Sequence, residues 1–199
     1  KAVTRMLDLA ANVRREDAPV IGLCPYKGLS YFDDADADLL VGREALTERL
    51  VERVLALARR GAETELRFLS VVGASGSGKS SMARAGLVPA LRWHKSSADW
   101  VIQVMTPTAR PLESLAQSLV TESGSLAATA AVIADLEASP HSLHLFTSRA
   151  LKGRPESRML LVVDQFEEVF ALCRSEFERA AFIDNLLCAA GERDGLTIV

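Results

Sequence analysis

Cysteine is scarce. Cys24, Cys173 and Cys188 are the three in 199 residues, far apart and with no CxxC. That usage indicates neither a disulfide framework nor a zinc site, and it fits reduced, structural thiols in a cytoplasmic protein. A basic excess is missing too. The formal charge of −3 gives no footprint for nucleic acid and no polybasic membrane patch. No apolar run approaches the length of a membrane span. The opening stretch KAVTRMLDLAANVRRED carries charges throughout and lacks the apolar centre of a signal peptide. Histidines are few. His141 and His144 stand three apart with no cysteine near in sequence, so Pro140-His141-Ser142 predicts a helix start rather than a metal site. Asp34, Asp36 and Asp38 mimic half a calcium loop, but Leu39 and Ala45 stand where that loop needs Gly and Glu. They predict an acidic linker before a helix.

What the chain does have is apolar content, 49%, and the length of one ordinary domain. It starts within a helical pattern and stops on LTIV, 196–199, which reads as a strand just begun, so a piece of a longer protein is expected. Three regions are expected: 1–23 as a preceding helix or linker, 24–62 as a lead-in, and 63–199 as the core. In the lead-in, 44–60 predicts a helix with Leu46, Leu50, Val54 and Leu57 on one face and Gly61 as its C′ residue. Strands and helices then alternate. LRFLSVV (66–72), WVIQVM (100–105), RMLLVV (158–163) and LTIV predict strands. Helices are expected over 79–88, ended or kinked by Pro89, and over 111–120, 125–138, 141–151 and 175–192. In the last, Phe177, Ala181, Ile183 and Leu187 are expected inward. This alternation argues for an α/β fold, a parallel sheet with helices on both faces. Trp93 and Trp100, flanking HKSSAD, are expected to pack.

The stretch GASGSGKS, 73–80, fits G-x-x-x-x-G-K-[ST] and lies between a predicted strand and a predicted helix. Gly73, Gly76 and Gly78, with Ser75 and Ser77 between them, let the backbone curl so that its N–H groups face phosphate oxygens. The helix beginning near Lys79 adds its positive end. Lys79 would reach the β- and γ-phosphates, Ser80 would offer a hydroxyl to Mg²⁺, and Ser81 follows on the same turn. Such a loop identifies nucleotide binding, and it serves transporter ATPases, small-molecule kinases and switch NTPases alike.

A carboxylate at the end of a neighbouring strand is needed to hold the metal's waters. Asp164 closes RMLLVV and is the candidate. A helix is expected from about 166, with Glu167 and Glu168 in its first turn. Either could orient or deprotonate an attacking water, or simply stabilise the helix start.

Three stretches, CPYKGLSYFDDADADLLVGRE (24–44), FLSVVGASGSGKSSMARAGLVPAL (68–91) and LLVVDQFEEVFALC (160–173), together resemble the STAND class of P-loop NTPases, and most closely the bacterial "novel STAND" group. The resemblance implies an additional-strand (ASCE) P-loop core whose last strands, sensor arginine and helical and winged-helix lid lie past Val199. It assigns Gly73, Gly78, Lys79 and Ser80 to phosphate and Mg²⁺, Asp164 to the metal side, and Glu167 or Glu168 to the distal acids of related NACHT ATPases. Gly42 and Arg43 match a GR(E) element near the nucleotide's base and sugar. It also implies an ATP/ADP switch with slow Mg²⁺-dependent hydrolysis. Such a switch forms homo-oligomers when active and works with C-terminal sensor domains and an N-terminal effector. Gln165 stands where a fast AAA+ ATPase carries its catalytic glutamate.

Two other readings stay open. A P-loop small-molecule kinase would close an arginine-rich lid over the phosphates, and RALKGRPESR (149–158) has the arginines. An NTPase module of a DNA-binding transcription regulator would need a fused upstream domain. A transporter ATPase would need an LSGGQ-like signature, which 106–158 lacks. Arg110, Arg149 and Arg154 could sense phosphate, but the sequence selects none of them.

Overall fold

A computed structural model describes residues 30–59, 66–94, 99–120, 125–154, 156–192 and 196–199. The helix expected over 1–15, most of the 17–32 linker and Gly61 lie outside the described residues.

The acidic run forms a short 3₁₀ helix, Asp34–Leu39, closed by a capping box. The backbone N–H of Asp34 donates to Asp33, and that of Asp33 donates to the buried Asp36 at 2.8 Å. These carboxylates are therefore occupied with backbone donors, and Asp34 also pairs with Arg92. Helix α1, Glu44–Arg59, follows. Its buried residues are Leu50, Val51 and Val54, while Leu46 is exposed. The inward face is thus narrower than the expected stripe.

Residues 66–70 run beside the last strand but make only one bridge, Phe68 to Ile198. Leu69 N–H donates to Ile198 and Ile198 N–H donates to Arg67. The expected strand over 66–72 is therefore only partly formed, and Val72 is 89% exposed. Helix α2 then runs over 79–92 in three parts: Lys79–Ser81, a π-helical turn Met82–Leu87, and Val88–Arg92. Pro89 neither ends nor breaks it. Proline lacks an N–H and its ring crowds the preceding turn. The wider turn just before it, with Val88 N–H bonded to Ala83, absorbs the misfit.

Strand β1, Trp100–Met105, leads to α3, Pro111–Leu119, which has proline at its start as expected. Helix α4, Leu126–Ala138, is capped by Ser125, and α5 is Ser142–Ala150. Strand β2, Arg158–Val163, precedes α6, Glu168–Ala171. Helix α7, Glu176–Gly191, is capped by Ser175 and leads to β3, Leu196–Ile198. The sheet order is β1-β2-β3, all parallel. The Phe68 bridge sets the phosphate-loop strand on the far side of β3. A strand therefore stands between the loop-bearing segment and β2, as the additional-strand class requires.

Side chains along a strand alternate between faces, and β2 feeds two cores. Met159, Leu161 and Val163 join Leu112, Leu115, Leu143, Phe182 and Leu186 from α3, α5 and α7. Leu160 and Val162 face the other way, onto Leu50, Val54, Leu87 and Leu91 of α1 and α2. Helices cover both faces, as the alternation predicted.

Two expectations about faces fail. On α7 the buried residues are Phe182, Asn185, Leu186, Ala189 and Ala190, while Phe177 and Leu187 are exposed. Ala181 and Ile183 do pack half-buried against that core; both sides of this helix carry apolar residues, so spacing alone recovers only half of the inward set. Trp93 is 86% exposed rather than packed; it caps the end of α2, two residues past the buried Leu91. Cys173 is buried and Cys188 half-buried, both free thiols. Burial first, and the charge of Glu192 second, push the Cys188 thiol up. No helix among the described residues is long and apolar enough to cross a membrane.

Candidate functional site

Parallel strands bring their carboxyl ends to one edge of the sheet, where ligands of such folds bind. Met105, Asp164 and Val199 meet there, with Asp164 N–H donating to Met105 and Val163 N–H to Val199. The 73–80 loop arrives at the same edge. Gly76 and Gly78 have φ of 72° and 86°, a left-handed backbone that other residues adopt only with strain. Gly78 thereby starts α2 directly at the loop. A Cβ on Gly73 would stand 3.0 Å from Ser77 Oγ.

Lys79 Nζ lies within the loop and donates to Gly73 O at 2.9 Å and Ala74 O at 3.1 Å. Ser80 Oγ donates to Asp164 Oδ1 at 2.7 Å. Eighty-four residues of chain separate that pair. Because the Ser80 proton points to Asp164, the lone pairs of its oxygen stay available to a cation. Hard oxygen donors of this kind suit Mg²⁺.

Asp164 is 7% exposed, and its other oxygen is taken. Arg84 Nε donates to Oδ2 at 2.8 Å, while Arg84 Nη2 donates to Thr106 at 3.1 Å. The same guanidinium sits 4.5 Å from the centre of the Tyr31 ring. The segment before the 3₁₀ helix is tied down as well, with Phe32 N–H donating to Ser81 Oγ at 3.1 Å. Arg84 is absent from the sequence-derived site. Its signal was its place one helical turn after Ser80, which puts both side chains on one face of α2.

A cleft of about 520 Å³ lies between Ser30–Phe32, the loop and the acid motif. Gly73, Ser75, Gly76 and Gly78 line its floor, and Lys79, Ser80, Ser81, Asp164, Gln165 and Glu167 its sides. A second cavity of about 240 Å³ adjoins it under 68–71, sharing Lys79, Asp164, Gln165 and Glu167. Of the two distal acids, Glu167 borders both spaces and Glu168 neither. Glu168 opens α6, and Glu167 is the residue before it. The expected helix start at 166 is thus displaced by a turn over 164–167. Within that turn Gln165 is exposed and has φ 58°.

Gly42, Arg43 and Ser77 do not line the cleft. Arg43 reaches the loop from outside, its Nη2 donating to Ser77 O at 3.1 Å. Glu44 Oε1 accepts the Gly42 N–H at 3.1 Å. Its own N–H first, and that of Gly42 second, hold the Glu44 carboxyl below its usual range, with burial opposing. The arginine-rich stretch 149–158 enters β2 at its amino end, where Arg154 pairs with Asp99. That is the end of the sheet remote from Asp164, so no lid of this stretch borders the cleft.

A family model described as Novel STAND NTPase 1 matches residues 25–199. No curated protein and no solved structure matches the chain.

Proposed function

The chain belongs to the Novel STAND NTPase 1 family, and from that premise we propose that it binds ATP or ADP with Mg²⁺ as a regulatory switch. The observation that carries this reading is the Ser80–Asp164 hydrogen bond at the head of the phosphate loop. In this reading the loop N–H groups and Lys79 hold the phosphates, with Lys79 exchanging its two carbonyl partners for phosphate oxygens. Ser80 would ligate Mg²⁺ directly, and Asp164 would hold its waters. Held there by Ser80 and Asp164, the metal would supply charge neutralisation at the phosphates. Glu167, which borders the cleft, is the better placed of the two acids to orient a water. Arg43 braces the loop through Ser77 O. Tyr31 and Phe32 close the cleft opposite the loop.

Slow hydrolysis follows from Gln165, an amide that cannot take a proton from water. Nucleotide exchange would drive homo-oligomerisation in the full-length protein, in step with sensor and effector domains. The kinase reading loses its support, because 149–158 lies at the wrong end of the sheet.

The test is nucleotide affinity by calorimetry with and without Mg²⁺, together with turnover. Binding should be abolished by Lys79→Ala, and turnover should stay well below ~1 per second. Retained binding in Lys79→Ala, or fast turnover without a partner, would refute the proposal.

A further inference from the structure

His141, Cys188 and Glu192 form a cluster on the α5–α7 side of the sheet, away from the cleft. Cys188 and Glu192 stand four residues apart at the end of α7, so their side chains share one face. His141 occupies the cap position of α5 but makes no capping bond to that helix. Its Nδ1 instead lies 3.0 Å from Cys188 Sγ. One ligand atom from each of the three residues falls within 4.8 Å of the others. Two ligand atoms on a tetrahedral zinc stand roughly 3.3–3.7 Å apart, from bond lengths of about 2.0–2.3 Å. Small rotations of the exposed His141 and the half-buried Cys188 and Glu192 would reach that spacing.

The backbone beneath the cluster is already fixed. Asn185, fully buried one turn before Cys188, accepts the N–H of Leu143 at 3.2 Å and donates to Leu136 O and Ala181 O, each at 2.9 Å. That amide locks the head of α5 and the end of α4 against α7. The cluster thus rests on two helices whose relative position is set by a buried polar network.

The alternative for a Cys–His pair is an activated nucleophile. That state is a thiolate beside an imidazolium, and the Glu192 carboxylate within 4.8 Å adds a second negative charge next to the thiolate, which disfavours it. A cation removes the conflict, since thiolate, imidazole and carboxylate all donate to it.

We propose that His141, Cys188 and Glu192 bind a borderline divalent cation, Zn²⁺ being the best match, with water in the fourth position. One sulfur, one nitrogen and one oxygen donor disfavour Mg²⁺ and Ca²⁺, which take oxygen only. The site joins the head of α5 to the end of α7 and is independent of the nucleotide cleft.

The test is titration of the metal-stripped 199-residue chain with Co²⁺, nucleotide absent. One equivalent should bind tetrahedrally and show a thiolate-to-cobalt charge-transfer band. Cys188→Ser should remove the band and Cys173→Ser should keep it. His141→Ala, which alters an exposed side chain and should fold normally, should weaken binding by at least the ~10–100-fold that even supporting residues cost. Zn²⁺ should raise the unfolding midpoint of the parent chain and not that of His141→Ala. The proposal is overturned if no thiolate band forms, if the band survives Cys188→Ser, or if all Co²⁺ bound is octahedral and displaced by Mg²⁺.

Discussion

Arg84 gives one guanidinium three neighbours: the Asp164 carboxylate, the Thr106 hydroxyl and the Tyr31 ring. It neutralises an acid that is almost fully buried, and a buried charge without its partner is costly. Arg84→Met keeps the length of the side chain and removes the charge. We expect a loss of about 3 kcal/mol in urea unfolding, less where the Ser80 bond compensates. The double variant Arg84→Met/Asp164→Asn should lose less than the two single variants added together. Additive losses would mean that the pair does not couple. At Gln165 the question is chemical. Glutamate at φ 58° meets the same backbone strain as glutamine, so Gln165→Glu changes the side-chain chemistry and little else. Steady-state ATPase turnover should rise, towards the ~10²–10⁴-fold that a general base usually contributes. An unchanged rate would leave the amide without a role in slowing hydrolysis.

At the level of elements, Gly86 shows why α2 and α1 lie so close. A Cβ there would stand 2.8 Å from Thr47 Oγ1, 3.2 Å from Leu40 Cδ2 and 3.4 Å from Thr47 Cγ2. Rotating Thr47 exchanges one obstruction for another. Gly86→Ala gains up to ~1 kcal/mol in helix propensity but overpacks a buried contact at a cost of about 1–3 kcal/mol. A lowered thermal midpoint is expected, with recovery in Gly86→Ala/Thr47→Ala. The elements differ in how legible they were. That the 73–80 loop and Asp164 lie together could be read directly, because each belongs to a contiguous pattern, and Ser80 does meet Asp164. The start of α3 at Pro111 followed from a local rule, and α7 begins one residue after the expected 175, with Ser175 as its cap. The buried stripe of α7 did not, since Phe177 and Leu187 are as apolar as Phe182 and Leu186, and only packing separates them. Arg84 needed an 80-residue contact, and the His141–Cys188 approach needed one of 47 residues. The one-turn step from Ser80 to Arg84 hints at the first, and nothing in the spacing hints at the second.

Across the whole molecule, the two cores meet at β2, whose alternate residues enter one or the other. The 160–164 stretch therefore joins the α1–α2 side, which carries the phosphate loop, to the α3–α7 side. Its final residue is the acid that faces the loop. The segment carrying the loop is held differently. Around residues 67–69 it touches the sheet through one bridge and few backbone bonds, whereas β1 and β2 pair over six positions. Weakly held segments open at lower free energy than fully paired ones. A ligand that holds the loop curled would tighten this seam if the loop and the seam open together. By thermodynamic reciprocity, whatever tightens the seam between residues 67–69 and Ile198 must raise the affinity for that ligand by the same factor. The seam lines the cavity that adjoins the cleft, so the pairing of β3 with residues 67–69 and the lifetime of such a bound state would rise and fall together.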